Sequence, residues 1–197
     1  MPSANLRETQ AFFAVRAADW DARFADDDSV FAQAIREAPF RPGMTVLDLG
    51  CGTARALPLL HAAVAPGGRV VGLDATLAML RAGQRAGRRS LLVGDAVHLP
   101  FADACMDAVF AAGLLPHLSQ PLEALREAAR VTRAEGALVI FHPLSRAALA
   151  ARHAQASADD DVLAPPQLAD LLAKSGWRIT HIDDGAARFL AIAARAP

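Results

Sequence analysis

The sequence predicts an α/β domain: a seven-stranded, mostly parallel sheet with helices on both faces and an antiparallel last strand. Three observations predict it. Short apolar runs rich in Val, Leu and Ile recur at residues 44–49, 69–74, 90–93, 107–111 and 137–141. Helical segments separate most of these runs, and strands alternating with helices give a parallel sheet with right-handed crossovers. Two further runs, 177–183 and 188–194, have only about four residues between them, too few for a crossover, so the last strand reverses.

The elements follow in order. Residues 5–38 read as helix, because Phe12, Phe13, Trp20, Phe24, Phe31 and Ile35 recur at roughly helical spacing among charged residues. Asp26, Asp27 and Asp28, just before Ser29, are expected to separate two helices. Arg41-Pro42-Gly43 is a turn. Strand 44–49 (MTVLDL) ends at Gly50, and a helix over 54–65 stops at Pro66-Gly67-Gly68. Strand 69–74 (RVVGLD) precedes a helix that Thr76 caps, running to Ala86 and ended by Gly87. After strands 90–93 and 107–111 a helix over 121–132 starts on Pro121. Strand 137–141 (ALVIF), a helix over 166–175 ended by Gly176, and the final strand pair complete the chain. This divides it into an N-terminal helical cap, 1–40, and a main domain, 41–197, with 143–165 as a candidate substrate lid.

Composition narrows the function. The 197 residues carry 20 Lys plus Arg against 21 Asp plus Glu, a formal net charge of −1. A protein that holds nucleic acid by neutralising phosphates needs a positive excess, and so does a polybasic membrane-surface protein. Neither partner is expected. An apolar fraction of 53% supplies a core and excludes a mainly disordered chain. Two cysteines, Cys51 and Cys105, do not make a disulfide framework, so a reduced, cytoplasmic protein is expected. No signal peptide or membrane span is read in the sequence.

Ligands of such sheets bind outside the carboxyl ends of the strands. The first of these ends is the loop Asp48-Leu49-Gly50-Cys51-Gly52-Thr53-Ala54. Glycines there allow close backbone approach, and the next helix offers free N–H groups and the positive end of its dipole. Asp48 would repel a diphosphate, and Arg55 occupies the last glycine position of the dinucleotide fingerprint. A nicotinamide or flavin enzyme is therefore disfavoured. A ligand with both an ammonium and a carboxylate fits better. Asp74 ends the second strand, where a carboxylate accepts from ribose hydroxyls; its plainer role is to cap the next helix. Asp95 ends the third strand, placed for an exocyclic adenine amine or for a simple turn.

The runs VLDLGCGTARALPLL, VVGLDATLAML, LLVGDAVHLPF, DAVFAAGLLPHL and LREAARVTRAEGALVIF resemble the class I S-adenosylmethionine-dependent methyltransferases, and within them the small-molecule type 11 subgroup. The resemblance implies a Rossmann-like fold, S-adenosylmethionine as cofactor and in-line methyl transfer. By position it places Asp48, Gly50, Cys51 and Gly52 around the methionine part and Asp74 on the ribose. It places Ala75 and Met79 beside the adenosine, Asp95 and Ala96 at the adenine edge, and Ala112 at the sulfonium side. Ala54 stands where the family has a third glycine; at a first helical turn its methyl is expected to cost little.

Such transfer needs chiefly an aligned nucleophile and the exclusion of water. A general base adds on the order of 10²–10⁴ in rate. His117 and His142, after the fourth and fifth strands, are the candidates, since histidine titrates near neutral pH. Simple roles in fixing a loop or facing solvent compete for both. His153 falls in the candidate lid, and His61 and His98 read as surface residues. Trp20 and Phe24 are expected either to lie over the cofactor or to pack on the sheet edge. The acid runs 26–28 and 159–161 read as solvated loops, so no metal is expected, and Cys51 is read as present for its size rather than as a nucleophile. No Asn-Pro-Pro or Pro-Cys step follows the fourth strand, which separates the chain from methylases of nucleic-acid bases. A small, partly apolar acceptor in a pocket formed by the N-terminal helices and 143–165 is expected. A non-catalytic protein that binds S-adenosylmethionine or S-adenosylhomocysteine is the alternative.

Overall fold

The computed structural model describes residues 6–152 and 161–197. A seven-stranded sheet runs through it in the order β3-β2-β1-β4-β5-β7-β6. Its strands are β1 (Thr45–Leu49), β2 (Arg69–Asp74), β3 (Leu91–Val93), β4 (Met106–Ala112), β5 (Thr132–His142), β6 (Trp177–Asp184) and β7 (Phe189–Arg195). The β1–β2, β1–β4, β2–β3 and β4–β5 pairs are parallel. β7 is antiparallel to both β5 and β6, and lies between them.

Alternation along the strands divides the core into two layers. Leu47, Leu49, Val109, Ala111, Leu138 and Ile140 face one side and pack on Leu125 and Ala128 of α6 (Pro121–Val131) and on Leu168 and Leu172 of α8 (Pro165–Lys174). Val46, Ala108, Phe110, Val139 and Phe141 face the other and meet Ile35 of α3 (Asp28–Glu37) and Leu57, Leu60 and Val64 of α4 (Leu57–Val64). Phe110 and Phe141 are fully buried and stack, ring centroids 6.1 Å apart. Each such ring contributes about 1.5–3 kcal/mol by burial.

The N-terminal region is more broken than its hydrophobic spacing suggests. It forms α1 (Leu6–Ala14), α2 (Trp20–Arg23), a 3₁₀ turn (Ala25–Asp27) and α3. The acid run does mark a helix junction, but a second break falls at residues 15–19. The α4 helix begins at Leu57 rather than at 54, because Ala54 has φ +64° and cannot be helical. β5 begins at Thr132, five residues before the expected start, and its register shifts between Thr132, opposite Met106, and Ala137, opposite Ala108. The remaining helices, α5 (Leu77–Arg85) and α7 (Arg146–Arg152), match expected helical or lid segments. Among the described residues no helix is long and apolar enough to cross a membrane.

Candidate functional site

The carboxyl ends of β1, β2, β3, β4 and β5 open into one cavity of about 380 Å³, roofed by α1 and α2. Its floor starts at Asp48. Alternation turns this side chain to the α3–α4 face, with Gly72 on one neighbouring strand and Phe110 on the other. The carboxyl group is 2% exposed and its Oδ2 has no hydrogen-bond partner. Burial and the nearby Asp74 charge push its pKa up to about 8. Ionised, it is a site prepared for a cation; unliganded near neutral pH, it holds a proton.

Asp48 leads into a tight backbone loop. Gly50 and Gly52 both take left-handed conformations, φ +70° and +57°. A side chain at Gly50 would lie 2.6 Å from Leu114 Cδ1, and one at Gly52 would lie 3.2 Å from Met79 Cε. The backbone N–H groups of Gly50 and Cys51 donate to Leu73 O, which ties the loop to β2. The Cys51 thiol is pushed well up by burial and by the Asp48 and Asp74 charges, which supports the reading that it is not a nucleophile. Ala54, fully buried and left-handed, closes the loop by donating to Cys51 O. The expectation that Ala54 stands in a first helical turn is corrected here. Ala54 occupies a strained backbone position where only glycine is at ease.

Asp74 holds two segments at once. Its Oδ2 accepts from Gly52 N at 2.8 Å and its Oδ1 from Thr76 N at 2.7 Å. Each oxygen keeps a further lone pair, so the carboxylate can still accept from a ligand. Burial raises its pKa, while these N–H groups lower it. Thr76 sits at the α5 N-cap as expected, but its side chain makes no cap bond; Asp74 Oδ1 accepts from the N–H of Thr76 itself. Asp95 accepts from Val97 N at 3.1 Å and so builds the turn after β3. Ala75, Met79, Ala96 and Ala112 also line the cavity, as do Asp74 and Asp95.

The other half of the cavity is aromatic. Phe13 meets Trp20 with centroids 5.5 Å apart, Trp20 meets Phe24 at 4.7 Å, and Phe13 meets the His117 ring edge-on at 5.0 Å. Trp20 and Phe24 are thus in the roof of the cavity, not only on the sheet edge. His142, at the end of β5, accepts at Nδ1 from Leu144 N at 3.0 Å. The neutral ring therefore carries its proton on Nε2. That edge of the ring lies beside Gly113: a side chain there would lie 3.9 Å from Cδ2 and 4.0 Å from Nε2.

Every residue singled out from the sequence for cofactor or acceptor thus lines this cavity; His61 and His98 are exposed. His153, Asp159 and Asp160 lie outside the described residues. Asp161 is paired with Arg146 at 2.8 Å, and Asp28 with Arg55 at 2.5 Å. Sequence reasoning missed Gln10, Asp21 and Arg88, which join the roof to the floor. Gln10 Nε2 donates to Ala75 O at 2.9 Å, and Arg88 Nη1 donates to Asp21 Oδ2 at 2.5 Å. Isolated polar residues on short helices carry no pattern by which to find them.

Residues 47–140 match a family described as methyltransferase domain. An uncharacterized 37.1 kDa protein in transposon TN4556 of Streptomyces fradiae is 38% identical over 107 residues, 52% of this chain and 31% of that protein. A demethylmenaquinone methyltransferase of Symbiobacterium thermophilum is 33% identical over 122 residues, 57% of this chain and 49% of that one. The chain thus spans less than half the length of either curated relative. The putative methyltransferase in a complex with the Haloferax volcanii Trm112 methyltransferase activator shares the fold. Its TM-score is 0.78 at 21% identity, covering 94% of this chain and 98% of that one.

Proposed function

From the match of residues 47–140 to a methyltransferase domain, we propose that the chain binds S-adenosylmethionine and transfers its methyl group to a small, largely apolar acceptor. One observation carries the reading: a buried Asp48 carboxyl with an unpartnered Oδ2, beside two left-handed glycines and facing an aromatic wall across one cavity. The cofactor, when bound, supplies an electrophilic methyl group on a sulfonium.

The residues present fit that molecule. Asp48 offsets its ammonium, with Gly50, Cys51 and Gly52 giving close backbone approach to the methionine part. Asp74 accepts from the ribose with the lone pairs that Gly52 and Thr76 leave over. Ala75 and Met79 pack on the adenosine, Asp95 and Ala96 meet the adenine edge, and Ala112 borders the sulfonium side. A sheet in which β1 to β5 all end at one rim brings these groups together without further machinery.

The acceptor half excludes water with Phe13, Trp20, Phe24 and Leu114. Those side chains favour a flat, apolar ring. Relatives named demethylmenaquinone methyltransferase support an acceptor of that general chemistry. His117 and His142 have different roles in this reading. His142, with its proton fixed on Nε2, donates to an oxygen of the acceptor, while His117 takes a proton from it. Alignment itself carries most of the rate, about 7–11 kcal/mol of the barrier.

The test is methyl transfer from tritium-labelled S-adenosylmethionine to a metabolite extract and to demethylmenaquinone. A labelled small molecule is expected, with turnover lowered in His117→Ala and His142→Ala at unchanged cofactor affinity. Tight binding of S-adenosylhomocysteine with no labelled product would mark a non-catalytic binder, and no binding at all would overturn the reading.

A further inference from the structure

We infer that Asp21 is a positioning residue: it fastens the aromatic roof of the acceptor half to the glycine loop of the cofactor half, so that the two halves bind as one unit. The inference rests on the proposed use of the cavity for S-adenosylmethionine and an apolar acceptor.

Asp21 lies on α2 between the two aromatic residues that form the roof, Trp20 and Phe24. Its two oxygens are both engaged: one bonds the loop after β1 directly, and the other reaches it through Arg88, which lies between α5 and β3. Oδ1 accepts from the Thr53 hydroxyl at 2.5 Å, 32 residues away in sequence. Oδ2 accepts from Arg88 Nη1 at 2.5 Å, and the same Nη1 donates to Thr53 O at 2.9 Å. Asp21, Thr53 and Arg88 thus form a closed triangle.

Thr53 is 2% exposed and follows Gly52, whose N–H is held by Asp74. Any movement of α2 therefore pulls on the backbone between Asp48 and the start of α4. Behind this point Thr53 O is pressed by α5, since a side chain at Gly83 would lie 2.4 Å from it. The loop cannot yield on that side. Two further ties act in the same sense: Gln10 to Ala75 O, and Arg55 Nη2 to Phe24 O. Each runs between the roof and a residue flanking the cofactor half.

A rigid link between two sites gives reciprocal coupling. Cofactor that orders the glycine loop also sets the positions of Trp20 and Phe24, and an acceptor pressed on those rings holds the loop closed. The link is chemically specific. Half-exposed ion pairs contribute little to stability, whereas a carboxylate bonded to a buried threonine, and to an arginine that holds the same threonine's carbonyl, fixes geometry.

Trp20 supplies the readout. The chain has two tryptophans; the other, Trp177, is 3% exposed and donates from Nε1 to Leu125 O. Acrylamide quenching therefore reports chiefly on the half-buried Trp20. In the wild-type chain, saturating S-adenosylhomocysteine should shield Trp20. In Asp21→Ala, quenching should rise without ligand, the shielding should vanish even at saturation, and S-adenosylhomocysteine affinity should fall about tenfold, within the usual range of such couplings. Asp21→Asn, which keeps an oxygen for Thr53, should fall between the two. Wild-type quenching in Asp21→Ala, with and without ligand, would overturn the inference. Should S-adenosylhomocysteine fail to bind the wild-type chain, the cofactor reading is lost on its own account. The ligand-free comparison then decides the link: increased quenching in Asp21→Ala upholds it, and equal quenching removes it.

Discussion

Replacing Asp48 with Asn should flatten the pH dependence of stability. The Asp48 carboxyl is 2% exposed, and burial with the Asp74 charge moves its pKa from 3.8 to about 8. In the unfolded chain the same group titrates near its ordinary value of ~3.9. Between the two values the folded protein keeps a proton that the unfolded chain has lost. Stability therefore falls as pH rises through this window, by about 1.4 kcal/mol per pH unit, and is level above the folded value. From pH 5 to pH 8 the loss is about 4 kcal/mol as an upper bound. Asn is isosteric and does not titrate, so the variant should lose little over the same range. Urea unfolding of both proteins at the two pH values measures the difference. The stability gap should widen toward pH 8 in favour of the Asp48→Asn variant, by some 2–4 °C of melting temperature per kcal/mol. A gap that stays constant between pH 5 and pH 8 would refute the argument, since it would mean Asp48 titrates alike in folded and unfolded chains. The same substitution should weaken S-adenosylhomocysteine binding, because the ammonium loses its counter-charge.

Other expectations follow from named contacts. S-adenosylhomocysteine at 100 times its Kd should stabilise the wild-type chain by about 2.7 kcal/mol in thermal or urea unfolding. Asp74→Ala should abolish most of that gain, since it removes the acceptor for Gly52 N and Thr76 N; an undiminished gain would end the ribose assignment. Ala54→Gly should change stability by less than about 1 kcal/mol, because relief of roughly 1–2 kcal/mol of left-handed strain is offset by about 0.8 kcal/mol of lost methyl burial and by unfolded-chain entropy. Ala54→Val, β-branched at φ +64° in a fully buried site, should destabilise clearly in the same urea assay. Phe110→Ala should cost about 3–5 kcal/mol, as it opens a void between the Phe31, Phe40 and Phe141 rings; a loss under about 1 kcal/mol would show that these rings collapse to fill it.

The sequence by itself determined the class of fold, the reversed last strand and the rim of the sheet at which the cavity opens. These are local matters. Period-two and period-3.6 patterning sets the elements, a four-residue connection forbids a crossover, and strand ends carry the loops. That Asp48, Gly50, Gly52, Asp74 and Asp95 would meet at that rim was legible for the same reason, each fixed by its distance from a strand end. Tertiary structure alone decided the rest. It placed β7 between β5 and β6, a choice among pairings of similar local quality. It made Ala54 left-handed, because the loop must turn from β1 into α4 within the space left by β2 and α5. It joined Asp21 to Thr53 and Arg88 across 32 and 67 residues, where no spacing rule reaches. And it set the Asp48 proton affinity, since the desolvation of a carboxylate depends on what every neighbouring strand and helix puts around it rather than on the residues beside it in the chain.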